Sequence, residues 1–384
     1  MEIYFDNAAT TKVSDKVVEA MLKMLTKDFG NPSSLHQKGF VAEKAIENSR
    51  QMIAQVLKVN KKEIYFTSGG TEANNIAISG VTAGNTRGGK HILVSSIEHP
   101  SVKETVRHLE TIGYEVESIP TDSMGYVQIE VLNQLIRQDT LLVSIMYVNN
   151  EIGTIQDMLT IGKLIKSLNP KTLFHVDAIQ AFGKYILTPT KDQIDLLTIS
   201  GHKLHGPKGI GAIYIKDGTK IAPLFHGGRQ ENGIRSGTEN VPGIIGFGMA
   251  TEEAYNQLQD NRTHIEGIKE HMIKRLMNDV PDITFNGDRE LGAYHILNIG
   301  VSGVKSEVLL HALEELEIYV STGSACSSKK KNHSITLSAL NLTHDEKDNA
   351  IRMSFSKYNT LEEVNLFIEH LNRLLPILRR FKRK

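Results

Sequence analysis

An α/β protein with a mostly parallel sheet, joined to a smaller α+β region, is the fold class this sequence predicts. Short apolar, β-branched runs recur from about residue 60 to 215, with the near-continuous hydrophobicity of strands covered on both faces. Helix-spaced segments lie between such runs and lead into strands, which is βαβ order. Beyond about residue 250 the order changes to a long helix followed by mixed strands and helices.

The strand-like runs are IYF at 64–66, HILVSS at 91–96, LLVSIMYV at 141–148, LFHV at 173–176, LLTIS at 196–200 and GAIYI at 211–215. Between them, SVKETVRHLETIG and LTIGKLIKSL carry helical spacing. A helix over roughly 250–278 then leads to strand-like HILNIGV, helical SEVLLHALEEL and strand-like IYVS. IRMSFS and the amphipathic EEVNLFIEHLNRLL close the pattern, and RRFKRK reads as a solvated basic end.

Composition bounds the function. The chain of 384 residues is long enough for two domains, with 40% hydrophobic and 23% charged residues as in ordinary globular proteins. Lys plus Arg equals Asp plus Glu at 44 each, so there is no overall bias toward nucleic acid or membrane, and no direct nucleic-acid partner is expected. No run approaches a membrane span, and MEIYFDNAATTK has neither a basic n-region nor an apolar h-region. Cys326 is the only cysteine, which excludes an intramolecular disulfide and suits a reducing compartment. A cytoplasmic protein is expected.

In an open α/β sheet, ligands collect beyond the carboxyl ends of the strands. After IYF comes TSGGTEANN, where Gly70 allows close backbone approach and Thr71 adds a hydroxyl at a helix start suited to an anion. It is not a nucleotide P-loop. After HILVSS comes His99, able to stack on a planar ligand or relay a proton, or simply to cap a helix. Asn149 and Asn150 follow SIMYV. Asp177 ends LFHV and needs a partner, because an isolated buried charge is costly. A cationic ring nitrogen would serve, and Gln180 lies one helical turn on. Lys203 follows LLTIS among glycines, where partial desolvation would make its amine nucleophilic toward a carbonyl. His202 and His205 flank it, but no carboxylate or cysteine completes a local zinc site, so no metal is expected. An anion cradle, a stacking histidine, an aspartate for a ring nitrogen and a Schiff-base lysine are together the requirements of pyridoxal phosphate.

The chain resembles the cysteine desulfurases of the NifS/IscS group, class V of the aminotransferase superfamily. The match runs through YFDNAATT, FGNPSS, FTSGGTEANN, EHPSV, VNNEIGTIQ, HVDAIQ, SGHKLHGPKGIG, RSGTEN and TGSAC, in the family's order and over nearly the whole chain. The resemblance implies the aspartate-aminotransferase-like fold of type I pyridoxal-phosphate enzymes, with a large domain over 13–257 carrying a mostly parallel seven-stranded sheet. A smaller α+β domain would combine 1–12 with 258–384. It also implies a homodimer.

By motif match, Lys203 would bind pyridoxal 5'-phosphate covalently, Asp177 would bond its ring nitrogen, His99 would stack on the ring and Gln180 would bond its phenolic oxygen. Gly70, Thr71, Ser200 and His202 would form the phosphate cradle, with Thr238 of the other subunit. Asn150 and Arg352 would hold the substrate carboxylate, and Asn31 would line the same region. The implied reaction converts L-cysteine to alanine, with Lys203 shuttling a proton, His99 acting as acid or base, and sulfur passing to Cys326 as a persulfide. A sulfur-acceptor protein, either an iron–sulfur scaffold or a tRNA-thiolating enzyme, would collect it. Arg229 stands where the family often has a third glycine, in HGGRQ.

Selenocysteine or cysteine-sulfinate lysis is the competing chemistry. Ordinary transamination leaves Cys326 unexplained, and a non-catalytic partner-binding protein leaves Lys203, Asp177 and His99 unexplained. In STGSACSSKKKN, Gly323, Ser324 and Ala325 supply a permissive backbone, so a loop that moves to carry Cys326 is expected.

Overall fold

The protein is described by a computed structural model covering residues 1–322 and 334–381. Cys326, the lysines after it and the expected motion of their loop lie outside the described residues.

The central sheet has seven strands: β2 (Ile64–Thr67), β3 (His91–Ser95), β4 (Glu115–Ile119), β5 (Thr140–Ser144), β6 (Leu173–Asp177), β7 (Leu196–Ser200) and β8 (Gly211–Ile215). A short β1 (Ile3–Tyr4) precedes them. Their spatial order is β2-β8-β7-β6-β5-β3-β4. The neighbours from β7 to β4 pair in parallel, whereas β8 is antiparallel to both β7 and β2. Two antiparallel steps restore direction, so β2 runs the same way as β7. The carboxyl ends of β2, β3, β5, β6 and β7 therefore share one edge.

Six of the seven strands were legible as apolar runs. β4 was not, because EVESI sits at the edge of the sheet, exposes its glutamate side chains in part and buries only Ile119. Alternate strand residues face opposite sides. Leu93, Val143, Phe174 and Leu197 join one core with Ile53, Leu57 and Phe247. Ile92, Leu142, Leu196 and Ile213 join a second with Ile76, Val102 and Val106. Burial on both faces is why the sequence shows no alternation there.

A third core draws on both chain ends: Ile3 and Phe5 pack with Met272, Leu297, Ile351, Phe367 and Leu371. Here β9 (Ile283–Asn286), β10 (Ile296–Val301) and β12 (Ala350–Ser354) form an antiparallel sheet of order β12-β10-β9, while β11 (Ile318–Tyr319) pairs in parallel with β1. The single helix expected over 250–278 is two, Val241–Asn256 and Leu258–Asp279, because Gln257 leaves helical geometry at φ −109° and ψ 14°.

Candidate active site

Lys203 ends the tight turn Gly201–Lys203 that follows β7. Its Nζ donates to the carbonyls of Ala8 at 2.5 Å and Ala9 at 2.6 Å, so the chain's first residues hold the amine of a residue nearly two hundred positions away. A cleft of about 200 Å³ opens there over the shared carboxyl edge of the sheet. Gly70, Thr71, His99, Asn150 and Asp177 line it, as do Gln180, Ser200, His202, Lys203 and Arg352.

Asp177 ends β6 and is 3% exposed. One carboxylate oxygen accepts from the backbone N–H of Ile179 at 3.0 Å and the other from Asn74 Nδ2 at 2.8 Å. His99 is the N-cap of the helix Pro100–Thr111, its Nδ1 accepting from Ser101 N at 3.1 Å. Burial pushes the His99 ring below its usual range, opposed by Asp177 and assisted by Lys203. His202 lies 3.2 Å through Nδ1 from the Thr10 hydroxyl, and burial, together with the charge of Lys203, pushes it down to about 3. Both imidazoles are thus neutral at physiological pH.

Arg352, on β12, is 1% exposed. It donates to Asp6 Oδ1 at 2.6 Å and to the Asn150 carbonyl at 2.8 Å, while its buried Nε has no partner among the described residues. Its backbone exchanges two hydrogen bonds with Ser321, at 2.7 and 3.1 Å. On the far side of the undescribed segment, Ser334 caps the helix Ile335–Ala339 and donates to Glu151, beside Asn150. Both flanks of residues 323–333 are therefore fixed at this cleft.

Two candidates lie elsewhere in the chain. Asn31 is exposed in a turn where its side chain accepts from Ser33 N at 2.9 Å, and it does not line the cleft. Thr238 lines a separate hollow with Thr67, Gly209 and Asn240. Sequence reasoning also missed contributors. Asn74 and Ser101 stand inside the quoted motifs but were not singled out, although Asn74 follows Gly70 by one helical turn. The Ala8 and Ala9 carbonyls carry no side-chain signal. Lys184 donates to the carbonyl of Lys203 itself at 2.7 Å, and burial, then Lys203, pushes its ammonium down to about 7.

The residues fit pyridoxal phosphate. A Cβ at Gly70 would lie 2.1 Å from Ile179 Cδ1, so any larger residue in the cradle wall would have to displace that side chain. The helical run from Gly70 begins without a side-chain cap, leaving N–H groups for an anion. Gln180 donates to the Ala8 carbonyl at 2.9 Å, while its buried Oε1 has no partner among the described residues. A carboxylate, a ring-sized space and a primary amine complete the set.

Residues 3–367 match the family model of class-V aminotransferases. A cysteine desulfurase IscS of Methanosarcina thermophila is 43% identical over 377 residues, covering 98% of this chain and 93% of that protein. Among solved structures, a NifS-like protein superposes with a TM-score of 0.93 at 38% identity, covering 98% of this chain and 100% of that one. SspA, solved in complex with cysteine, superposes with a TM-score of 0.80 at 33% identity, covering 94% of this chain and 100% of that one.

Proposed function

We propose, for a chain that belongs to the class-V aminotransferase family, that it is a cysteine desulfurase converting L-cysteine to L-alanine with pyridoxal 5'-phosphate as cofactor. The observation that carries this reading is the convergence of Lys203, Asp177 and His99 on one cleft whose rim fixes both flanks of the only cysteine-bearing segment. The bound cofactor supplies an electron sink for charge developing at the substrate Cα.

The chain's own residues have these roles. Lys203 would hold the cofactor through its aldehyde, and its amine is the group in the cleft that would move the Cα proton. Asp177, held by Asn74 and Ile179 N, presents a carboxylate that keeps the ring nitrogen protonated. His99 stacks on the ring and Gln180 bonds the phenolic oxygen. Gly70, Thr71, Ser200 and His202 cradle the phosphate, joined by Thr238 of the partner subunit in a homodimer. Arg352 and Asn150 bind the substrate carboxylate, while Asn31, exposed and off the cleft in this chain, takes no part in that contact. Cys326 attacks the substrate sulfur as a thiolate. The carbon–sulfur bond breaks, its electrons return to the substrate carbon skeleton, and a persulfide remains on Cys326.

Ser321 supports that last step. Ser321, five residues before Cys326 in the sequence, is itself bonded to Arg352 at the cleft. The persulfide passes to an acceptor protein, an iron–sulfur scaffold or a tRNA-thiolating enzyme. A large domain over 13–257 and a smaller one from 1–12 and 258–384 are the units we assign, and the core drawing on both chain ends supports that division.

Cys326→Ser tests the function. The variant should keep the cofactor's absorbance and its response to L-cysteine while losing sulfide release. Near-normal sulfide production would instead favour a lyase that needs no enzyme cysteine. Protein that stays colourless with added cofactor would return the fold to a binding role.

A further inference from the structure

The hydrogen bonds behind the cleft fix which nitrogen of His99 carries its proton. Asn74 is fully buried and touches three groups. A carboxylate oxygen can only accept, so the Asn74 atom 2.8 Å from Asp177 is its amide nitrogen. The Thr198 hydroxyl, 2.6 Å from the amide oxygen, agrees by donating to it. The second N–H of that nitrogen points to Ser101 Oγ at 2.8 Å. Ser101 Oγ therefore accepts from Asn74 and keeps its own proton available for His99 Nδ1, 2.8 Å away. The backbone N–H of Ser101 donates to the same Nδ1. Nδ1 receives two donors and cannot hold a proton.

We infer that Asn74 and Ser101 are positioning residues that lock His99 as a neutral imidazole with its proton on Nε2. The ring then meets cofactor or substrate as a hydrogen-bond donor. It cannot act as a base at Nε2, where the proton already sits, or at Nδ1, which is engaged. Proton movement in the cleft is left to Lys203. The charged groups facing the ring are Asp177, which favours a cation, and Lys203, which opposes one. Asp177 and His99 are moreover joined through one amide, so a disturbance of either reaches the other through Asn74. This inference deepens the proposed function and rests on the role given there to His99.

Protein labelled with nitrogen-15 at histidine tests it, the His99 signal being assigned by its loss in His99→Gln. The nitrogen shifts should show Nε2 protonated and Nδ1 unprotonated near neutral pH, with and without cofactor. In Ser101→Ala, the loss of a donor that favours the neutral ring should raise the His99 titration midpoint by about one pH unit. Ser101→Thr, which keeps a hydroxyl, should restore it. A proton on Nδ1 in the unaltered protein, or a midpoint unmoved in Ser101→Ala, would overturn the inference. The first measurement needs no variant to fold beyond the assignment, and neither needs turnover. Failure of the tautomer lock is therefore read separately from failure of the desulfurase reading, which Cys326→Ser addresses.

Discussion

Replacing Arg352 by lysine separates substrate binding from the support of the fold. The guanidinium uses one terminal nitrogen on Asp6 at 2.6 Å and the other on the Asn150 carbonyl at 2.8 Å, leaving buried Nε without a partner among the described residues. Arg352→Ala would delete the cation opposite Asp6, and breaking a buried pair in that way costs about 3–5 kcal/mol. Arg352→Lys keeps the charge. Its single ammonium remains with Asp6, and the planar fork available to a substrate carboxylate is lost. One charge-assisted hydrogen bond is worth about 1.5–3 kcal/mol, which at 1.4 kcal/mol per decade corresponds to a roughly ten- to hundredfold fall in kcat/KM. A carboxylate contact made equally in ground and transition states is lost through KM, so kcat should stay within about threefold. Alanine formation gives both constants. Cysteamine, which is L-cysteine without the carboxylate, supplies the control, and its binding should be indifferent to the change. An unaltered KM for L-cysteine, or an equal loss of affinity for cysteamine, would refute the assignment of Arg352 to the carboxylate.

Gly70→Ala would bring a methyl to 2.1 Å from Ile179 Cδ1. The Ile179 side chain, which lines the cleft, must shift, and at the usual overpacking cost of about 1–3 kcal/mol cofactor affinity should fall roughly tenfold, with partial recovery when Ile179→Val is added. Glu98 is 2% exposed, and burial pushes its carboxyl up to about 8. A raised folded-state value means stability fully present below the unfolded value and lost as pH rises toward 8, at up to about 1.4 kcal/mol per unit. Glu98→Gln keeps an acceptor for Ser95 and Met146 N, so melting should match the wild type near pH 5 and exceed it near pH 9. A constant difference across that range would mean that Glu98 does not titrate there.

Much of the site was legible because a doubly covered sheet announces each strand and because chemistry gathers at strand ends. Asp177, Lys203, His99 and Asn150 were found by that rule alone. What stayed hidden depends on relations the sequence does not display. β4 lies at an edge, where partial exposure replaces the apolar run. Asn74 gains its role only when its helix is laid across β6 and β7, bringing Asp177 and Thr198 to the same amide. The carbonyls of Ala8 and Ala9 act through backbone, and any residue type there would offer the same atoms.

The placement of Arg352 joins two halves of the reaction. Its side chain reaches the cleft between Asp6 and Asn150, while its backbone pairs with Ser321 at the start of the segment that carries Cys326. Glu151, next to Asn150, receives Ser334 at the other end of that segment. The group assigned to the substrate carboxylate is thus hydrogen-bonded through its own backbone to the residue that begins the cysteine-bearing segment. On that assignment, the substrate contact and the anchored flank of the cysteine-bearing segment belong to one strand, β12. A shift of β12 against the central sheet would displace both, and it would also disturb the cradle of Lys203, because β12 bonds through Ser354 to Phe5 and Ala8. With Arg352 on the substrate, holding it and the flank of the cysteine-bearing segment to one strand would spare the entropy of aligning them separately at each turnover.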